Sequence, residues 1–368
     1  MKEKSLLNEV IFFNKKIVNF TFPCYHLCKR LHIWREGNKV VTIRDVAKEA
    51  GVSVATVSRV LNSTGYVKED TRVRVMNTIQ KLNYSPNEVA RSLYTRESRL
   101  IGLLLPDITN PFFPQLARGI EDEVHSHGFR LILGNSDEQL EKELTYLQTF
   151  TQNHVVGMIT ATTSLAQKLY EGLTFPVVFL DRSSDQYPSV YADGFEGGKL
   201  AAEEIIKRGS KRITLIKGPV NVKPAQERFQ GSLSVLSQSD ADFYVLNTNS
   251  LAFDDAQKWA KEIFQKYPET DGIIASNDIV ATAVLHEAFR LEKSVPDDLQ
   301  VIGFDDIPQS RFSFPALSTI RQPAYEMGKQ AAGLLMKCIK KEPLIQKQVQ
   351  LPVTFIERNT TRKVEEHG

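Results

Sequence analysis

From Arg99 onward the chain repeats one alternation, a short apolar run followed by a stretch of helical periodicity. The runs are Leu100–Leu105, Arg130–Leu133, Gly157–Ile159, Val177–Leu180, Ile213–Ile216, Gly272–Ala275 and Gln300–Gly303. Each is strand length, and strands that alternate with helices predict parallel sheets, because a parallel pair needs a crossover and the helix supplies it. About 260 residues of this pattern are enough for two lobes. The first is expected over about 99–209 and 321–340, the second over about 210–320 with the C-terminal strands. In such sheets ligands bind beyond the carboxyl ends of the strands, so polar residues should gather just after each run. They do: Asn110, Phe112 and Phe113 follow LLLP, Asp181 and Arg182 follow VVFL, Asn277 and Asp278 follow IIAS, and Asp305 and Asp306 follow VIGF. Arg228 lies on the helix after ITLIKGP, and Gln322 lies in TIRQP, where the chain crosses back toward the first lobe. Singly, these are turn formers, surface charges or core aromatics. Their joint placement at corresponding strand ends points to a ligand cleft.

Ahead of this body the charge changes sign. Residues 1–41 carry eight Lys/Arg against three Asp/Glu and residues 42–99 ten against six, whereas the remainder carries 28 against 35. A basic front on an acidic body suggests a nucleic-acid-binding head. Thr42-Ile-Arg-Asp45 has the spacing of a capping box, and Ile43, Val46, Ala47 and Ala50 share one face of the helix that follows. Gly51 breaks that helix. Ser53 caps a second one, Val54 to Leu61, with Val57, Val60 and Leu61 inward. Two short helices about a tight glycine turn form a helix-turn-helix, whose second helix presents its N-terminal side chains to base edges in the major groove. Thr42, Ser53, Val54, Ala55, Thr56, Ser58, Arg59 and Asn62 are the candidate DNA contacts. Arg59 and the hydroxyls suit phosphates, and Val54 and Ala55 suit a thymine methyl. A third helix from about Glu69 to Leu82, with Val73, Met76, Ile79 and Leu82 inward, completes the head.

The stretch TIRDVAKEAGVSVATVSRVLN, with YSPNEVARSL after it, closely resembles the lactose-repressor (LacI/GalR) family of bacterial transcription regulators, and the likeness runs from about Thr42 to Arg362. It implies a small all-α helix-turn-helix head (41–84), a hinge helix and linker (85–98) and a periplasmic-binding-protein-like α/β body of two parallel-sheet lobes (99–362), ending in a short tail (363–368). Ser85-Pro86-Asn87-Glu88 supports the hinge independently, with a cap, a proline at the first helical position and a capping-box glutamate. At about nine residues that helix is too short to be stable alone in water. By the resemblance, Leu93 is the apolar wedge in the minor groove and Arg91 contacts DNA beside it. The body is similar to ribose-binding proteins, position by position. Their pocket motifs stand here as NPFF (Asn110, Phe112, Phe113), DR (Asp181, Arg182), AQER (Arg228), AFD (Phe253), SND (Asn277), GFD (Asp305) and TIRQ (Gln322). Three phenylalanines suit the C–H faces of a pyranose, while two carboxylates, two guanidiniums and amides suit its hydroxyls.

The implied protein is a repressor of ribose-utilisation genes that acts as a homodimer on double-stranded operator DNA and is released by D-ribose or a close derivative. It uses no cofactor. The alternative is a global catabolite-type regulator of the same family, with a phosphorylated carrier protein as corepressor. No run approaches the ~18 apolar residues of a membrane helix. The three cysteines are too few for a disulfide scaffold, which places the chain in a reducing cytoplasm. Cys24, His26, Cys28 and His32 match no usual metal-ligand spacing, so no metal site is assigned. A serine nucleophile elbow, a phosphate loop and paired metal ligands are all lacking, so no enzyme is expected. Residues 1–40 read as a disordered or mis-called extension, with the natural start expected near Val40.

Overall fold

The computed structural model describes residues 41–85, 98–162, 169–251 and 253–364. The expected extension (1–40) and most of the hinge, with Arg91 and Leu93, lie outside the described residues. The chain divides into two compact units, 1–88 and 89–368.

In the head, α1 (Ile43–Ala50), α2 (Val54–Asn62) and α3 (Glu69–Lys81) enclose Val46, Ala47, Ala50, Val57, Val60 and Val75. The Thr42 N–H and hydroxyl both donate to Asp45 Oδ2, at 2.8 and 2.7 Å, which starts α1. Gly51 ends it at φ +64°, a conformation that costs glycine nothing. Ser53 Oγ accepts the Thr56 N–H at 3.1 Å and starts α2. The expected inner face of α3 is corrected: Val73 and Met76 are exposed, and Val75 and Thr78 are buried in their place. The helix is rotated because its partners α1 and α2 both lie against the Val75 side, and a surface Glu49–Lys81 ion pair (2.7 Å) links α1 to α3 there.

The body contains two six-stranded sheets. The first comprises β1 (Leu100–Leu105), β2 (Arg130–Asn135), β3 (Gly157–Thr160), β4 (Val177–Leu180), β5 (Ser189–Ala192) and, from far along the chain, β11 (Gln348–Leu351). Its order is β11-β5-β4-β3-β1-β2, and every pairing is parallel. The second comprises β6 (Arg212–Lys217), β7 (Asp242–Asn247), β8 (Gly272–Ile274), β9 (Gln300–Asp305), β10 (Ser318–Arg321) and β12 (Thr354–Ile356), in the order β12-β10-β9-β8-β6-β7. Only β12 runs antiparallel there. In both sheets the strand order reverses beside the first strand, at β1/β3 and at β6/β8, which is where a doubly wound sheet opens a crevice.

Helices α4 (Phe112–Ser126), α5 (Leu140–Gln152) and α10 (Ala324–Ile339) cover the first sheet; α6 (Gly194–Lys207), α7 (Lys223–Leu236), α8 (Phe253–Lys266) and α9 (Asp278–Arg290) belong to the second lobe. The lobe boundaries therefore differ from the sequence expectation. Helix α6 packs on α7 and the second sheet, so the first crossing falls at Asp193 rather than near residue 209. Strand β11 completes the first sheet rather than the second. Helical periodicity shows which face of α6 is apolar but not which sheet it meets. Helices α6 and α7 approach so closely that a Cβ on Gly198 would stand 2.0 Å from the Arg228 carbonyl oxygen, and one on Gly231 would stand 1.9 Å from that of Phe195. Among the described residues no helix is long and apolar enough to cross a membrane.

Candidate ligand cleft and nucleic-acid interface

The carboxyl ends of both sheets open onto one cavity of about 480 Å³. Eight of the ten expected ligand residues line it: Asn110, Phe112, Phe113, Asp181, Arg182, Arg228, Asn277 and Asp305. Gln322 stands behind this layer, its Nε2 donating to Asp305 Oδ1 at 2.7 Å. Phe253 occupies the first position of α8, between the lining residues Leu251 and Asp254, and its side chain lies outside what is described.

The loop-to-helix junctions set these groups. Asn110 Oδ1 accepts the Phe112 N–H at 3.0 Å, starting α4 and turning Phe112 and Phe113 into an edge-on pair with centroids 5.3 Å apart. Asn277 Oδ1 accepts the Val280 N–H at 2.9 Å and caps α9, which commits its carbonyl and leaves its amide Nδ2 buried without a partner among the described residues. Arg228 lies over the Phe304 ring at 3.9 Å, donates to the Ser276 carbonyl at 2.9 Å and reaches Asp305 Oδ1 at 3.3 Å. Arg182 is 4% exposed; its Nη2 lies 3.4 Å from Glu138, and its Nε and Nη1 have no partner among the described residues. Buried donors without partners are costly, and these lie in the wall of the cavity, which makes Arg182 and Asn277 candidate partners for a ligand's oxygens.

The acceptors are tuned by burial. Burial pushes Asp181 up, with Arg228 and Arg182 opposing, and pushes Asp305 up to about 6 against the pull of Arg228. Both sit at positive φ, +63° and +112°, a backbone strain that non-glycine residues adopt where the surroundings enforce it. Asp278, beside Asn277, and Asp306, beside Asp305, take other roles. Asp278 is buried beneath the cavity, accepting from Thr319 (2.5 Å), Ser310 (2.7 Å) and the Ile307 N–H (2.9 Å), and burial with the nearby Asp305 pushes it up to about 8. Asp306 turns away from the cavity to Arg321 (2.7 Å), Arg358 and Arg311 (3.8 Å).

The sequence reading missed lining residues after two strands. Asp137 and Glu138 follow β2, and Asn249, Ser250 and Leu251 follow β7. The strand-end rule finds both once it is applied to GNSDE and LNTNS. Asp107, Thr109, Val222, Pro224, Ala225 and Asp254 complete the wall with Pro106.

On the head, Val54 (41%), Ala55, Arg59 and Asn62 are exposed along α2, while Thr56 and Ser58 are half-buried. The Ser53 and Thr56 hydroxyls bond each other at 2.9 Å, and Asn62 Nδ2 donates to Ser58 at 3.2 Å, so part of the polar set is pre-positioned by its own neighbours. A groove beside α2 adds Tyr66, Lys68, Thr71 and Arg74, which the sequence reading did not include.

Residues 42–87 match the bacterial regulatory proteins of the lacI family, and residues 202–361 match the periplasmic binding protein-like domain. The ribose operon repressor of Bacillus subtilis strain 168 is 63% identical over 324 residues, covering 88% of this chain and 99% of that protein. A LacI family transcriptional regulator from Enterococcus faecalis V583 with bound ribose aligns at TM-score 0.64 and 29% identity, over 72% of this chain and 98% of that one. The lac repressor dimer bound to operator and an anti-inducer aligns at TM-score 0.80 and 25% identity, over 88% of this chain and 100% of that one.

Proposed function

The chain belongs to the LacI family of bacterial transcription regulators, and on that premise we propose that it represses ribose-utilisation genes and leaves its operator when D-ribose fills the cleft. The observation that carries this reading is the convergence of orphaned donors at Arg182 and Asn277 with the Asp181 and Asp305 carboxylates and the Phe112/Phe113 pair in one cavity. A sugar supplies hydroxyls that both donate and accept, together with apolar C–H faces. A site built this way rejects an analogue that lacks one hydroxyl, because a buried polar partner is left unpaired.

In this reading the head (41–84) reads a half-site through Val54 and Ala55, with Ser53, Thr56, Ser58, Arg59 and Asn62 on nearby phosphates and edges. Two copies pair on a pseudo-palindrome. The segment 85–98 forms the hinge helix on DNA, with Leu93 and Arg91 in the minor groove. Sugar draws the lobes together, shifts the dimer contact and disfavours the paired hinges, a coupling free energy between two sites. The protein works where the DNA is, in the cytoplasm, and does no chemistry on its ligand.

The test is calorimetric titration of the full chain with D-ribose, with glucose as comparator, paired with an operator gel shift. Selective ribose binding that weakens operator binding is expected. Failure to bind ribose, or binding that leaves operator affinity unchanged, rejects the reading.

A further inference from the structure

The cavity wall carries more negative charge than sugar binding uses. Beyond Asp181 and Asp305, the carboxylates of Asp107, Asp137, Glu138 and Asp254 also line it, against the two guanidiniums of Arg182 and Arg228. A doubly wound cleft ordinarily attracts anions, because helix N-termini with unpaired N–H groups point at the strand ends. Here two of those helices open with acidic first turns, Glu141 and Glu143 in α5 and Asp254 and Asp255 in α8, which offset the attraction at those two ends. The lysines that flank the cavity do not restore it. Lys142 pairs with Asp137, while Lys223 lies 3.9 Å from Glu227 and donates to Ser183. Glu138, in turn, neutralises the Nη2 edge of Arg182, at 3.4 Å.

We propose that Glu138 on the first lobe and Asp254 on the second form an electrostatic filter that admits the neutral pentose and rejects its phosphate ester. The proposal rests on the ribose reading above and specifies which form of the sugar is sensed. A phosphate monoester brings about 1.5 to 2 negative charges into a wall that already holds six carboxylates against two guanidiniums. The regulator then responds to the sugar before phosphoryl transfer to one of its hydroxyls, and that transfer, the reaction that consumes the free pentose, ends the signal.

The test titrates the full chain with D-ribose and with D-ribose 5-phosphate, for the wild type and for Glu138→Gln, Asp254→Asn and the double variant. The measured quantity is the ratio of the two affinities. The wild type favours the sugar, and each substitution narrows that preference by roughly twofold to fivefold as one exposed, water-screened like charge is removed from the wall. Raising the salt from about 0.02 M to about 0.5 M narrows the wild-type ratio and moves the double variant's less, since only a charge-based rejection is screened. A wild type that binds the ester as tightly as the sugar overturns the filter, as does a ratio unmoved by both substitutions and by salt. Binding of neither compound overturns the ribose reading, and the filter with it.

Discussion

Asp305→Asn separates the charge of the cleft from its shape. Gln322 and Arg228 both reach Asp305 Oδ1, leaving Oδ2 to the sugar. Asparagine preserves size, but Gln322 and Arg228 keep its one carbonyl, so an amide faces the sugar where a charged acceptor stood. A hydrogen bond to a charged acceptor contributes about 1.5–3 kcal/mol and a neutral one about 0.5–1.5, so two hydroxyls that turn from donating to a carboxylate to accepting from an amide lose about 2–3 kcal/mol, or roughly 30- to 150-fold in affinity. The pH profile makes the test sharper. Burial holds Asp305 near 6, and sugar hydroxyls that donate to it favour the ionised form, so wild-type affinity rises with pH through about 6. Asp181, also raised by burial, adds a second coupled proton, and the variant retains only that one. For stability the sign is opposite. A carboxyl whose folded value lies above its unfolded value stabilises the fold fully below the unfolded value and loses that contribution as pH rises through about 6. The asparagine keeps the neutral state, so the ligand-free variant melts no lower than wild type at pH 7. The assay is calorimetry with D-ribose from pH 5 to 8, with melting of the ligand-free proteins alongside. Ribose affinity in the variant within about threefold of wild type, less than the loss of one charged bond, or a wild-type affinity flat across that range, refutes the reasoning.

Three further outcomes follow from the same structure. Gly198→Ala drives a methyl into the Arg228 carbonyl oxygen, so α6 and α7 must part; a stability loss of about 1–3 kcal/mol with weakened ribose binding is expected in denaturant melts and calorimetry, and an unchanged ribose affinity would show that Arg228 tolerates the shift. Asp278→Asn mimics the neutral acid held near 8, with its oxygen accepting from Ile307 and Ser310 and its amide turned to Thr319. Because the folded value is raised, wild-type stability falls as pH climbs through about 8, and the variant's melting temperature should stay flatter from pH 6 to 9; parallel curves would remove Asp278 as the cause. Leu93→Ala should weaken specific operator binding far more than binding to random DNA in gel shifts, and equal losses on both would reduce Leu93 to packing.

Much of the body was legible because parallel strands buried on both faces read as unbroken apolar runs, LIGLLL and VVFL among them. Their ends are where polar side chains must collect, and seven of the eight cavity residues were found that way, Arg228 lying instead on a helix. Less was legible at the sheet edges. Strand β7, DFYVLN, is half-exposed and mixed in character, so it did not stand out as a run, and Asn249 and Ser250 beyond it were missed with it. Asn277 and Asp278 are adjacent and equally polar, yet one lines the cavity while the other anchors Thr319 and Ser310 below it, a difference set by which way the start of α9 turns. In the head, the apolar spacing of α3 was compatible with two rotations, and the neighbours α1 and α2 chose the one that buries Val75.

The chain passes between the lobes three times, at Asp193, at Gln322–Pro323 and between β11 and β12. Three covalent straps in parallel behave like a flexure bearing: they resist shear and torsion and leave one soft bending direction. Severing a single strap does not free either half, because two remain, and neither half corresponds to one continuous length of chain. The connectivity thus leaves bending across the three straps as the softest relative motion of the lobes. Gln322, which holds Asp305, is itself part of a strap, so the wall of the cleft is tied directly to a crossing between the lobes.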